Sequence, residues 1–92
     1  MQIEMYAIFL SEETVKILRK LDKGTEKRIR SKIKKLKKSP YSFGKHLRGI
    51  DLWSLRSGKY RILFEIDSKE KKVFIVTLGY RKDVYRELKG KK

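Results

Sequence analysis

Arg56 and Arg61 flank a Ser57-Gly58-Lys59 turn, and on either side of it apolar and polar residues alternate. Alternation with a period of two marks strands whose successive side chains point to opposite faces. Before the turn, Trp53 and Leu55 share one face and Leu52, Ser54 and Arg56 the other. After it, Tyr60, Ile62, Phe64 and Ile66 share a face, while Arg61, Leu63, Glu65 and Asp67 take the opposite one. Placing the apolar sets toward the core leaves two guanidinium groups on the far face of neighbouring strands. Two cations held side by side repel each other, so that face calls for an anionic partner.

A second concentration of charge lies earlier. Residues 13–38 hold 12 Lys or Arg against 3 acids, and Lys32-Ile-Lys-Lys-Leu-Lys-Lys38 runs nearly without relief. Like charges at i,i+4 weaken a helix, and a polyphosphate surface or an acidic protein would offset that cost. Lys32, Lys34 and Lys35 are therefore candidates for contact with nucleic acid. A basic amphipathic helix can also lie on an anionic membrane, but the apolar stripe between these lysines is needed for a core. No zinc-finger, basic-zipper or RNA-recognition aromatic pattern is present.

Other chemistries are excluded by composition. The absence of cysteine rules out disulfides, thiolate metal sites and a cysteine nucleophile, and suits a reducing compartment. The single histidine, His46, rules out a multi-histidine metal site; it falls in a polar loop and reads as a solvated residue. No metal or cofactor is expected. Met1 to Met5 carries no basic leader, and the longest apolar run is Met5 to Leu10. Neither a signal peptide nor a membrane span is expected, and the reading is a cytoplasmic protein.

These groups must be positioned by few elements. The chain has 92 residues, enough for one small domain over 1–92. Its 26 basic against 11 acidic residues give a formal charge of +15, yet 39% hydrophobic content is enough to fold. Gln2 to Leu10 reads as an edge strand. Ser11, followed by Glu12 and Glu13, opens a helix carrying Val15, Ile17, Leu18 and Leu21. Asp22-Lys-Gly24 interrupts it, and Thr25 is expected to cap a second helix whose seam is Ile29, Ile33 and Leu36. Ser39-Pro40 ends that helix. Leu52–Arg56, Tyr60–Ile66 and Lys72–Leu78 form an antiparallel meander with Trp53 and Tyr60 packed inward, and Arg81 to Leu88 closes the chain as a short helix. The order β-α-α-β-β-β-(α) is an α+β domain: a small twisted antiparallel sheet with a helical hairpin packed on one face.

Three blocks carry a resemblance across essentially the whole chain: Leu47-Arg-Gly49, Leu55-Arg-Ser-Gly-Lys-Tyr-Arg61 and Gly79-Tyr-Arg-Lys-Asp-Val-Tyr85. In these the sequence resembles the RelE toxins of the RelE/ParE toxin–antitoxin superfamily, the middle block most specifically. The resemblance implies a toxin that enters the ribosomal A site and cuts mRNA there without a metal. In that reaction the 2′-hydroxyl attacks the adjacent phosphate, leaving a 2′,3′-cyclic phosphate and a 5′-hydroxyl. It also implies an inhibitory RelB-like antitoxin with an acidic contact surface, and the ribosome and mRNA as partners.

Carried over by motif, Arg61 would stabilise the transition-state charge, Arg81 would assist the leaving group, and Tyr85 would orient the scissile nucleotide or act as base. Arg56 shares the sheet face and would contact phosphate. The sequence departs from the best-studied RelE pattern at two positions, where Leu52 and Ser54 replace lysines. Lys45, Arg48 or Lys59 would have to stand in, and all three join the candidate RNA- and ribosome-binding set. Two other readings stay open: a ParE-type DNA gyrase inhibitor of the same fold, which Leu52 and Ser54 favour, and a basic module that binds RNA or an acidic protein without catalysis.

Overall fold

The computed structural model describes residues 5–80. Ala7–Leu10 forms β1, which enters α1 (Glu12–Lys20) and then α2 (Lys23–Lys35). A one-turn helix α3 (Pro40–Phe43) and a two-residue strand β2 (Lys45–His46) lead to β3 (Trp53–Ser57), β4 (Tyr60–Asp67) and β5 (Lys72–Tyr80). The expected final helix over Arg81–Leu88 lies outside the described residues.

The sheet has the order β1-β5-β4-β3-β2. The meander β3–β5 is antiparallel, as expected; β2 extends it antiparallel to β3, and β1 adds to β5 in parallel, Ala7 opposite Lys72 and Leu10 opposite Ile75. Direction explains the parallel pair. The helical hairpin carries the chain to the far edge, and three reversals then bring β5 back alongside β1 in the same sense.

The helices cover one face. Leu18, Ile29, Ile33 and Leu36 are buried against Leu55, Ile62, Phe64, Val73, Ile75 and Leu78, with Trp53 and Tyr60 half-buried at the margin. The Ile29, Ile33, Leu36 seam and the inward sides of β3 and β4 are therefore where alternation and helical spacing put them. Thr14 is fully buried as well, because its hydroxyl bonds Ser11 Oγ at 2.8 Å and reaches the Ile75 carbonyl at 3.3 Å. A buried hydroxyl so satisfied costs little.

Ser11 caps α1 as expected, its Oγ accepting from the Thr14 N–H at 3.0 Å. The cap of α2 is Asp22, not Thr25. The Asp22 carboxylate accepts both the Thr25 N–H (3.0 Å) and the Thr25 hydroxyl (2.7 Å), so Thr25 is the residue being capped. An ionised carboxylate two residues before Gly24 meets the free N–H groups of the first turn better than a hydroxyl placed inside it.

Two short elements were not expected. Pro40 at the first helical position has its φ already set and needs no N–H partner there, so it starts α3 instead of a loop. Gly44 then crosses above the Phe64 ring so closely that an added Cβ would clash with it and lie 3.0 Å from the Pro40 carbonyl. His46, expected in a loop, lies in β2 opposite Trp53, with the two rings edge-to-face at 5.0 Å.

β5 contains a bulge. Leu63 pairs with Thr77 and Phe64 with Ile75, which leaves Val76 without a partner across the ladder. Before the bulge Val73 and Ile75 face the helices, and after it Leu78 and Tyr80 do, opposite Ile62 and Tyr60. The Val76 carbonyl accepts from Ser11 Oγ at 2.7 Å, tying the bulge to the start of α1.

Candidate functional site

β3 and β4 place Arg56 and Arg61 directly opposite each other. Both side chains fall on the face of the sheet away from α1 and α2, as alternation requires. Arg56 is exposed, while Arg61 is half-buried and donates from Nη1 to Ser54 Oγ at 3.1 Å. Ser54 is itself buried and donates to the Lys45 carbonyl at 3.5 Å. Its hydroxyl thus holds Arg61 on one side and the edge strand on the other.

The register of β2 decides which substitute lysine reaches this face. Lys45 pairs with Ser54, and antiparallel partners project to the same side, so Lys45 joins Ser54, Arg56 and Arg61. Arg48 lies in the exposed turn that precedes β3, next to Gly49 at φ +84°, and the Leu47 N–H closes that loop on the Leu52 carbonyl at 2.9 Å. Lys59 lies in the β3–β4 turn and lines a cleft on the helical side, together with Lys32 and Lys35. Lys34 is exposed on α2 and borders a separate shallow groove with Ile8 and Lys37. Lys45, Arg56 and Arg61 therefore lie on one side of the β3–β4 hairpin and Lys32, Lys35 and Lys59 on the other, with Arg48 and Lys34 apart from both groups. Arg81 and Tyr85 lie outside the described residues.

The same face has an apolar end. Phe9 and Phe74 are register partners, stack at 5.4 Å, and are both exposed. Leu63, between that pair and the arginines, is buried. The face thus grades from aromatic at the β1 edge to cationic at the β2 edge.

Three features escaped the sequence reading. Ser54, noted there only as a departure from a lysine, is the acceptor that fixes Arg61. Tyr80 stacks on Tyr60 at 4.9 Å. Burial first, then the neighbouring Tyr80 hydroxyl and, least, the negative charge of Asp22 push the Tyr60 phenol above its ordinary value. Arg28 stands on the cleft wall with Lys32 and Lys35; their i, i+4, i+7 spacing was the available signal. Among the described residues, no group of three or more His, Cys, Asp or Glu side chains could hold a metal ion, and no helix is long and apolar enough to cross a membrane.

A family model described as the ParE toxin of the type II toxin–antitoxin system parDE matches residues 8–85. Among solved structures, a chain of the RelBE2 toxin–antitoxin complex from Mycobacterium tuberculosis is 26% identical with a TM-score of 0.77, covering 84% of this chain and 99% of that one. A double arginine-to-alanine variant of E. coli RelE in the free state is 26% identical with a TM-score of 0.73, covering 96% and 99%. A chain of the archaeal RelE–RelB complex from Pyrococcus horikoshii is 26% identical with a TM-score of 0.70, covering 84% and 96%. No curated protein sequence is significantly similar to the chain.

Proposed function

Since the chain belongs to the ParE toxin family of type II toxin–antitoxin systems and shares the fold of RelE toxins, we propose that it is a ribosome-dependent, metal-independent mRNA endonuclease. The observation that carries this reading is the Arg56–Arg61 pair with Lys45 and Ser54 on one sheet face. Cleavage by the 2′-hydroxyl needs an acceptor for its proton, cations for the charge that builds on the phosphorane, and a donor for the departing 5′-oxygen.

Arg61, held by Ser54, stabilises the phosphorane, and exposed Arg56 takes an adjacent phosphate. Lys45 takes the place of the proton acceptor that Leu52 and Ser54 cannot supply. By resemblance Arg81 donates to the leaving oxygen and Tyr85 orients the nucleotide. The products are a 2′,3′-cyclic phosphate and a 5′-hydroxyl, so the proton taken from the 2′-hydroxyl is balanced by the one given to the 5′-oxygen.

The partner that restrains this activity is a RelB-like antitoxin, as in the complexes from M. tuberculosis and P. horikoshii. A face graded from Phe9 and Phe74 to Arg56 and Arg61 suits an amphipathic segment bearing acidic residues.

Primer extension on an mRNA under translation in a purified system tests the proposal. Cuts at A-site codons that disappear without ribosomes are expected; an intact message refutes it. A second reading, inhibition of DNA gyrase by binding, is favoured by the ParE family match and by Leu52 and Ser54. Loss of plasmid supercoiling by gyrase in the presence of the chain, with the message intact, would select it.

A further inference from the structure

On the helical side of the sheet, away from Arg56 and Arg61, a cleft of about 640 Å³ separates α2 from the β3–β4 turn. Arg28, Lys32 and Lys35 line one wall from successive turns of α2, and Lys59 faces them from the turn. Tyr60 and Tyr80 also line it. Four cations meet one carboxylate there, Asp22, and that carboxylate is already engaged by Thr25. None of the four forms an ion pair among the described residues.

Four cations on two walls against a single carboxylate attract a chain of phosphates, because one isolated phosphate could not meet both walls and all four charges. The aromatic ring is the second, independent observation. Tyr80 is 52% exposed although its ring stacks on Tyr60, so a ring supported from behind is presented to solvent at the cleft. A basic groove with a supported aromatic face is the arrangement that holds single-stranded nucleic acid: cations follow the backbone, and a base stacks on the ring.

We propose that this cleft binds single-stranded RNA, with Arg28, Lys32, Lys35 and Lys59 on consecutive phosphates and a base stacked on Tyr80. Resting on the endonuclease reading, the cleft is a subsite for nucleotides flanking the one at Arg61. The connection is the hairpin end itself. Arg56 precedes the Ser57–Lys59 turn on one face of the sheet and Tyr60 follows it on the other. A strand anchored at Arg56 need only round that turn to meet Lys59.

The test is anisotropy of a short labelled RNA with 2′-O-methyl sugars, which cannot undergo transesterification, titrated with the full chain. Lys32→Gln with Lys35→Gln should weaken binding about tenfold and reduce the slope of log affinity against log salt by about 1.4, two single-strand phosphate contacts. The equal charge loss Lys16→Gln with Lys20→Gln, on exposed α1 positions, should change affinity less than about twofold, the effect of diffuse charge alone. Tyr80→Ala should cost about fivefold or more, and Tyr80→Phe should keep nearly full affinity.

Equal losses in the two lysine pairs, or wild-type binding by Tyr80→Ala, would overturn the site. So would displacement of the RNA by a polyglutamate of matched charge at the same concentration. Primer extension reads the other proposal separately. Binding that follows the cleft variants without ribosome-dependent cuts refutes the endonuclease alone, and cuts without cleft-dependent binding refute the cleft alone.

Discussion

Ser54 accepts a hydrogen bond from the Arg61 guanidinium at 3.1 Å from a position that is only 3% exposed. The arginine is thereby fixed by a group that water scarcely reaches. Removing the hydroxyl leaves a donor to be re-satisfied in a half-buried place. Ser54→Ala should lower cleavage in the translating system about fivefold, the equivalent of one lost hydrogen bond of about 1 kcal/mol, with secondary structure unchanged by circular dichroism. Full activity would show that Arg61 is positioned by other groups.

Arg61 itself is expected to matter far more. Arg61→Ala should reduce cleavage about 100-fold or more, the range for removing a group that meets developing charge. Arg61→Lys should recover little, because an ammonium cannot bond Ser54 and two phosphate oxygens in one plane. Rates from primer extension with the purified variants decide this, and rescue by lysine would mean that charge alone suffices.

Arg56 poses a trade between stability and binding. Like charges directly opposite on an antiparallel pair destabilise it, so Arg56→Gln should raise the unfolding free energy by about 0.2–1 kcal/mol while weakening RNA binding. Urea denaturation alongside RNA titration measures both. A variant that loses stability would indicate that Arg56 has a structural partner.

The Asp22 cap makes an acid-range prediction. Bonds from the Thr25 hydroxyl and N–H, with Arg28 nearby, hold the carboxyl below its ordinary value of 3.8. A group with a depressed folded pKa contributes its stability above the unfolded value and loses it as pH falls through the folded one. Asp22→Ala should therefore melt about 5 °C lower at neutral pH. Asp22→Asn keeps an acceptor oxygen but no charge. Its melting temperature should lie below that of the native chain at neutral pH and converge with it only in strong acid. A constant gap down to pH 2 would contradict the assignment.

Gly44 is required by contact, not by its own φ of −99°. A methyl group there meets the ring of Phe64, which is fully buried, and the Pro40 carbonyl. Gly44→Ala should cost about 1–3 kcal/mol in urea denaturation, the range for overpacking a closed core. A neutral result would mean that the α3–β2 crossing can lift away from the sheet.

Much of this architecture was legible because its signals are periodic. Helical spacing gave Ile29, Ile33 and Leu36, and strand alternation gave Trp53, Leu55, Ile62 and Phe64; these residues are the contact between hairpin and sheet. The pairing of Arg56 with Arg61 followed from the same alternation across a tight turn. What was missed depends on single bonds or on tertiary closure. Asp22 and Thr25 are both competent caps, and only the direction of the carboxylate separates them. The strand character of Lys45–His46 comes from its partner β3, since two residues carry no period. Nor can alternation foresee the cleft, because Tyr80 would fall on the opposite face of an uninterrupted strand.

Val76 causes that exchange of faces. The extra residue acts as a phase shift in the chain: everything after it is read one step out of step with everything before. Loss of Val76 itself would leave a regular ladder in which Ile75 and Leu78 still face the helices, whereas pairing Val76 into the ladder would turn Leu78 outward and Gly79 inward, exchanging the two surfaces of the strand's end. The core should accordingly tolerate removal of Val76 better than a shift that draws it into the ladder. Comparison of distant relatives that slips by one residue at this point would match the wrong side of the molecule from Thr77 to Tyr80.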